Sequence, residues 1–432
     1  MKGREITNYC LQAITNKGID KGECVYTASD KYEFNINHGE ISLLRTTMDS
    51  SLNIKVINDK KVGSISINKT NKEAIDEAIA NAIDLSNSSQ PDEANDIAPN
   101  QQSEEFNAGN SEPELEKMLE LSKGLSEAVA KEFPKIKFEE SIFEFTVSKQ
   151  YFSNTNGVDF VTNKGQYGLS VMFTAKDGKK TSSFNYTGMS LKEIGKELIE
   201  LGTIRTLMAQ SVQELDAKPL PEKFVGDIII TPDCLGAFLY YYNAIFLGDG
   251  SLISGTSRLK DSLNEKVASE KLTFSSNPTS DEISNGHFVT RDGFKAEDFS
   301  IIEKGVLKSF VLGLYGANKT GKERAKNSGE IFVVEPGDKA FEEMVKNTKK
   351  GILVGRFSGG YPNSNGDFSG VAKNSFYIEN GEIKHAITET MISGNLYDLF
   401  NDIVDISSER VNFGDSILPW IQSKGVTISG KI

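Results

Sequence analysis

Three cysteines and three histidines are all that 432 residues offer to a disulfide or a soft metal ion. Cys10, Cys24 and Cys234 are too few and too dispersed for a disulfide framework or a thiolate cluster, and read as buried, reduced thiols. His38, His287 and His385 lie in separate stretches. No helix can therefore present two imidazoles on one face, as a His-Glu-x-x-His or His-Glu-x-x-x-His metal site requires. Each histidine has a local setting of its own: beside Gly39 at a strand turn, after Asn285-Gly286, and in the alternating stretch GEIKHAIT. All three read as solvated turn or strand residues, and a metal site assembled from distant residues stays open. There is no Gly-x-Ser-x-Gly elbow between a strand and a helix and no Gly-Lys-Ser/Thr phosphate loop; KTGKERAK has the wrong spacing. Serine-nucleophile and nucleotide chemistry are left without support.

Positive charge is also in deficit. Forty-eight basic against 61 acidic residues give a formal charge of −13, which repels nucleic acid and anionic lipid, since binding to either rests on Lys and Arg neutralising phosphates. No long apolar run occurs in MKGREITNYCLQAITNKG, which carries Arg4, Glu5 and Lys17, so neither a signal peptide nor a membrane anchor is expected and a cytoplasmic protein is. Hydrophobic residues at 38% and charged residues at 25% are ordinary for a soluble globular chain, and the length suits two or three domains of roughly 100–200 residues each.

Periodicity supplies the elements. Ile6, Cys10, Leu11 and Ile14 predict a helix over Lys2 to Asn16. Leu52, Ile54 and Val56 alternate with polar residues, Asn58-Asp59 supplies a turn, and Val62 to Ile67 resumes as a strand. Thr70 is then expected to cap a helix whose face is Ala74, Ile75, Ala78, Ile79, Ala82 and Ile83. From Ser86 to Pro113 there are six acidic residues, no Lys or Arg, and only Ile97 and Phe106 as large apolar groups, which reads as a connector on the surface. A helix over Pro113 to Glu132 follows, then a meander punctuated by Asn156-Gly157, Lys164-Gly165 and Asp177-Gly178, then a helix capped by Ser190. Beyond Phe224 the chain turns to glycine and short strands, with helical stretches at Lys339 to Asn347 and Asn395 to Val404. The expected class is α+β. Two N-terminal helix-plus-antiparallel-sheet domains (1–86 and 114–220, joined by an acidic connector at 87–113) precede a β-rich, barrel-like C-terminal domain (221–432).

Two features remain. After the strand-like run Val225 to Ile230, Thr231-Pro232-Asp233 starts a helix at a place where enzymes often put chemistry, yet LGAFLYYYNAIFLGDG holds no His, Glu or Lys. Tyr240, Tyr241 and Tyr242 are amphipathic core residues or, alternatively, candidate interface residues. Glycine and polar side chains crowd Gly355 to Gly370 and Glu389 to Asp398. These loops either flank a strand-addition groove for an extended peptide or hold a twisted β domain in register. Gly359, Gly360, Asp367, Ser369, Ser393 and Asn395 are the candidate peptide contacts.

The run SGGYPNSNGDFSGVAKNSFYIENGEIKHAITETMISGNLYDLFNDI resembles the C-terminal signature of the TldD/PmbA family, in its Gly366-Asp367-Phe368-Ser369, Ile378 to Glu382 and Thr390 to Leu396 elements. RDGF, GVLKSFVLGLYGANKTGKERAKNSG, YFSNTNGVDF and SSLNIKVINDKKVGS resemble further motifs of that family, with Lys55 where an Arg is usual. The resemblance implies one of two branches. TldD-like members are zinc peptidases with a His-Glu-x-x-x-His helix in the third domain and a later cysteine ligand. PmbA-like members, also called TldE, share the fold, lack those ligands and pair with a TldD-like chain that trims or degrades unstructured peptides. Here the helix has Leu, Tyr and Ala where ligands and general base would stand, and no cysteine follows Cys234. The resemblance thus implies a PmbA-like subunit with no catalytic residues, metal ligands or cofactor of its own, partnered by a TldD-like zinc chain in a heterodimer. The alternative is a homodimeric peptide-binding protein. The family's older name, modulator of DNA gyrase, suggests a nucleic-acid link that the acidic balance argues against.

Overall fold

The computed structural model describes residues 3–19, 21–220, 222–388 and 390–430. Lys2, where the first helix was expected to begin, and Glu389, at the head of the second polar loop, lie outside them. α1 (Arg4–Asn16) buries the expected Ile6, Cys10 and Ile14. β1 (Lys21–Asn37) and β2 (Glu40–Asn58) form a long antiparallel hairpin, and β3 (Lys61–Ile67) follows. The β2–β3 turn sits one residue later than the sequence suggests, on Asp59 and Lys60. Both have positive φ, 48° and 65°, the mirror-image turn whose twist suits paired strands. α2 (Lys72–Ser88) begins after Asn71 rather than Thr70, because the Ile75 N–H donates to the Asn71 carbonyl at 3.1 Å. The helix lies so close to β3 that a Cβ on Gly63 would stand 1.9 Å from the Ala82 carbonyl oxygen; only glycine permits that approach.

The second unit builds on the same sheet. β1 pairs along its other edge with β5 (Ile136–Asn154), β5 pairs with β6 (Asp159–Asp177), and β4 (Glu104–Ala108) lies parallel to β6. The order is β3-β2-β1-β5-β6-β4, with the Asn185–Leu191 strand also on β6. α1 and α2 cover an apolar cluster on the first unit, from Ile6 to Ala82, while α3 (Leu115–Glu132) and α4 (Ile204–Gln213) cover a separate one on the second. Gly157 and Gly178 occupy the predicted turns with φ of 98° and 57°. Lys164-Gly165 does not turn. β6 runs straight through it, and Gly165 serves to let residue 110 approach, since a Cβ there would lie 1.7 Å from the Asn110 carbonyl oxygen. Ser190 caps no helix; it lies within the Asn185–Leu191 strand, and α4 starts only after Gly202, at φ 51°.

The connector departs most from expectation. Ala94, Ile97, Ala98 and Phe106 are buried, and β4 is an edge strand of the first sheet. Composition misleads here because the segment needs no core of its own. It fills a seam between two larger units, where Phe106 stacks on Phe288 at 5.1 Å and the Gln101 amide donates to the Gly293 carbonyl at 2.9 Å.

The C-terminal unit is a 14-stranded sheet curled around the largest apolar cluster, which spans Leu220 to Ile428. The Lys223–Ile230 strand lies inside it between Ile417–Ser429 and Lys350–Val354, so Ile228, Ile229 and Ile230 are buried in succession instead of alternating with polar residues. Helices form at Phe341–Asn347 and Leu396–Asn401, slightly shorter than predicted. Among the described residues no helix is long and apolar enough to cross a membrane. All three thiols are buried, and burial pushes Cys234 up to about 12.

One buried acid gives the fold a pH signature. Burial pushes the Glu214 carboxyl up to about 7, against the opposing pull of Asn374 and Arg356. From about pH 4.5 to 7 the folded chain keeps a proton that the unfolded chain releases, so stability falls as pH rises through that window. Full ionisation costs roughly 3 kcal/mol. Urea unfolding from pH 5 to pH 8 is expected to show this slope, and Glu214→Gln to flatten it.

Candidate functional site

α5 (Pro232–Tyr242) is the element to which the sequence assigns the lost chemistry. Thr231 precedes it in extended backbone, but its hydroxyl donates to the Gly355 carbonyl at 3.3 Å instead of capping the helix. Asp233 is also committed elsewhere. It is buried, which raises its carboxyl, and it accepts hydrogen bonds from Thr203 at 2.8 Å and Thr187 at 2.9 Å, which pull the other way. The first turn is thereby tied to the second unit. One face of α5, Cys234, Leu235, Phe238, Leu239 and Tyr242, faces the C-terminal core.

Tyr242 is therefore not an interface residue, contrary to one of the two readings. It is 1% exposed, its hydroxyl donates to the Val267 carbonyl at 3.1 Å, and its ring meets Phe246 and Phe400 edge-on at 5.0 and 5.1 Å. Tyr240 is 52% exposed. Tyr241 is partly buried, with Tyr240 at 6.0 Å on one side and Tyr361, itself exposed, at 4.9 Å on the other. After Tyr242 the helix widens into a π-helical turn, Asn243–Leu247, before α6 (Asp249–Ile253). Such turns swing side chains off the regular face and recur at functional sites.

The pattern Leu-Tyr-x-x-x-Ala, which the resemblance sets where zinc ligands and base would stand, occurs at Leu239, Tyr240 and Ala244. Leu239 is sealed in the core, and neither a branched alkyl chain nor a methyl group can ligate zinc. These residues do not fit a zinc ion. Among the described residues no group of three His, Cys, Asp or Glu side chains is placed to hold a metal.

Beside this helix lies a cavity of about 490 Å³, bounded by Tyr240, Asn243 and Ala244, by β1 and β2, and by the segments around Thr290 and Leu312. Its polar groups come from three regions. Glu23 on β1 is opposite Lys55 on β2 in the strand register. Asp292 accepts two hydrogen bonds from Arg324, at 2.6 and 2.8 Å, one from Thr290 at 2.6 Å and one from the Leu314 N–H at 2.8 Å. Burial alone would raise Asp292, but the Arg324 guanidinium holds it below the usual range. Arg324 in turn stacks at 3.7 Å over Phe294. Asp249 accepts from the Gly313 N–H at 3.1 Å, and burial raises its carboxyl. No catalytic pair or triad emerges. The arrangement is a largely apolar cavity with a few polar groups and Tyr240 at its rim.

The predicted peptide contacts occupy a different strip of the same unit. Arg356–Gly359 pairs with Asp367–Lys373, which pairs with Met391–Asn395. Asp367 faces Asn395 and Ser369 faces Ser393 in register; Gly359 faces Gly370, and Gly360 lies just beyond the strand end. Gly359 and Gly370 allow a close crossing, since a Cβ on Gly370 would stand 2.6 Å from the Gly359 Cα. Asp367 and Asn395 are already engaged. Asp367 accepts from the Asn395 amide at 2.8 Å and the Asn363 amide at 3.0 Å, which hold its carboxyl below the usual range. The Asn395 side-chain oxygen caps the Leu396–Asn401 helix by accepting from the Tyr397 N–H at 2.9 Å. For these two side chains the polar loop fixes register. Ser369, Gly359 and Gly360 stay exposed.

Sequence reasoning missed Glu23, Asn243, Asp249 and Arg324 as members of one site. An acid at the buried position of a strand, between Gly22 and Cys24, was a usable signal for Glu23. His287 was also misread. It is largely buried, burial lowers it to about 4, and its Nε2 has no hydrogen-bond partner.

Two family models match the chain, the PmbA/TldA metallopeptidase C-terminal domain over residues 224–430 and the PmbA/TldA metallopeptidase domain 1 over residues 22–86. A protein named metalloprotease PmbA from Escherichia coli O157:H7 is 24% identical over 98% of this chain and 96% of its own length. The zinc metalloprotease TldD homolog of Saccharolobus solfataricus is 24% identical over 63% of each chain. In fold, the chain is similar to the crystal structure of TldE from Thermococcus kodakarensis, with a TM-score of 0.84, 21% identity and coverage of 98% of this chain and 100% of that one. The matched models take in the hairpin that carries Glu23 and Lys55 and most of the curled sheet around α5, and the chain belongs to the PmbA/TldD family.

Proposed function

We propose that this chain is a non-catalytic, cytoplasmic subunit of a PmbA/TldD-type zinc metallopeptidase assembly acting on unfolded peptides. It contributes structure and part of the peptide channel, while a TldD-like partner supplies the zinc. This reading is carried by Leu239 and Tyr240 at the end of α5 and Ala244 in the π-helical turn after it, which the resemblance sets where the metal motif would stand. Zinc peptidases need imidazole to hold the ion and a carboxylate to take the proton from its water. The partner-facing surface in this proposal is the exposed aromatic patch of Tyr240, Tyr241 and Tyr361. The Arg356–Gly359 strand supports a peptide-holding role, since among the described residues it pairs only on its Asp367–Lys373 side. An extended peptide adding to its other edge would bind through main-chain hydrogen bonds, next to Gly359, Gly360 and Ser369, largely regardless of sequence.

The test is hydrolysis of a denatured, labelled casein by this chain, by a TldD-like chain carrying His-Glu-x-x-x-His, and by the two together. Chelator-sensitive cleavage by the mixture and none by this chain alone is the expected result. Chelator-sensitive cleavage by this chain alone overturns the proposal. Peptide binding without any effect on the partner's hydrolysis would favour the homodimeric binding protein instead.

A further inference from the structure

Two acceptors on the cavity beside α5 find no hydrogen-bond partner among the described residues. Glu23 is 7% exposed and its Oε2 has no hydrogen-bond partner; Asn243 is 6% exposed, and while its amide nitrogen donates to the Gly329 carbonyl at 3.1 Å, its Oδ1 has none. Both residues line the cavity. Buried polar atoms in native proteins nearly always find partners, so two orphans on one cavity call for a ligand group, and both orphans are acceptors. The missing group must donate.

Charge narrows the choice. Among the charged lining residues, Arg324 is matched by Asp292 and Arg291 by Glu330, at 2.6 and 3.2 Å. Glu23 and Asp249 then face Lys55 alone, whose ammonium also donates to the Asp96 carbonyl at 3.2 Å. With both carboxyls ionised, a state that burial opposes in each, one negative charge is left in excess. A neutral donor would leave it buried and uncompensated, whereas a cation cancels it. Exposed Tyr240 at the rim adds an aromatic face suited to a cation's approach, and the chain's net charge of −13 draws such ligands in.

We infer that this cavity binds a cationic N–H group of an extended peptide, supplied by its amino terminus or by a basic side chain, with Glu23 and Asn243 as the accepting residues and Asp249 completing the charge balance. The inference rests on the reading of the chain as a peptide-binding subunit and adds a substrate preference to it.

The experiment is calorimetric titration of the full chain with three peptides: a free-amino-terminated pentaglycine amide; an acetylated, amidated pentapeptide with lysine at its centre; and the latter with norleucine in place of lysine. Binding of the first, the second or both, with none by the third, is expected, and the pattern identifies the source of the cation. Glu23→Gln should weaken that binding at least about tenfold, the loss of one charge-assisted hydrogen bond. It should not lower the melting temperature, since it removes a buried charge. Asp249→Asn, at a half-buried position, is the second variant and should weaken binding in the same direction. Equal binding of the norleucine peptide, no binding of any peptide, or unchanged affinity in both variants overturns the inference. Should casein hydrolysis by the mixed chains survive such a result, only the cation preference falls and the proposed function stands.

Discussion

Tyr242→Ala is expected to lower the unfolding free energy by about 3–5 kcal/mol, whereas Tyr240→Ala, two residues earlier on the same helix, should change it by no more than about 0.5 kcal/mol. The contrast follows from what each ring touches. Tyr242 is 1% exposed, wedged edge-on between Phe246 and Phe400, with its hydroxyl donating to the Val267 carbonyl. Truncation removes a large buried ring, leaves a cavity and takes one of two donors from that carbonyl, which also accepts from the Asn401 amide at 3.1 Å. Tyr242→Phe isolates the last contribution and should lower stability by about 1 kcal/mol. Tyr240 is 52% exposed, and among the described residues its one ring contact is Tyr241 at 6.0 Å. Denaturant midpoints at constant m-value measure both. Similar losses at the two positions would mean that α5 does not face the core as described.

Asp292→Ala should be nearly as severe, at about 3–5 kcal/mol, because it leaves the Arg324 guanidinium without its partner in a mostly enclosed site. The carboxylate accepts four hydrogen bonds, from both sides of the Arg324 fork, from Thr290 and from the Leu314 N–H. That last bond fixes the start of the Leu314–Thr320 helix, whose Tyr315 and Asn318 hold the connector through Asp92 and the Ala94 carbonyl. The double change Asp292→Ala with Arg324→Leu should recover a substantial part of the loss, since no buried charge then remains unpaired. Double-mutant unfolding gives the coupling. A coupling near zero would contradict the ion pair's place as the junction of these segments.

Much of the α+β plan was legible because it is written in periodicity. α1, α2 and α3 carry apolar stripes at helical spacing, and the β2–β3 hairpin carries a turn pair between alternating runs. The larger errors share a cause: each depended on a partner distant in the chain. Lys164-Gly165 has turn chemistry, yet its glycine exists to admit Asn110. The connector is too polar to fold alone, yet it is held by Phe288, Gly293 and Tyr315 from the C-terminal unit. The continuity of the first sheet was also invisible, since β1 meets β5 across more than a hundred residues.

The candidate site divides along the same line. What the helix lacks could be read directly, because a metal motif is a local spacing and Leu239, Tyr240 and Ala244 break it. The cavity could not. Glu23, Asn243, Asp249, Asp292 and Arg324 are spread over some three hundred residues of sequence and meet only because the first hairpin packs against the curled sheet. The crowding of glycine and polar residues pointed instead to Asp367 and Asn395, whose side chains the structure shows fixing strand register and a helix cap.

The zinc content of the purified chain, measured per protomer by elemental mass spectrometry with no metal added, tests the central claim most directly. Background zinc is the predicted result, since Leu239 and Tyr240 on α5 and Ala244 in the turn after it offer no donor set for the ion. Near-stoichiometric zinc that survives dialysis would contradict the account and place a metal centre on residues other than those of α5.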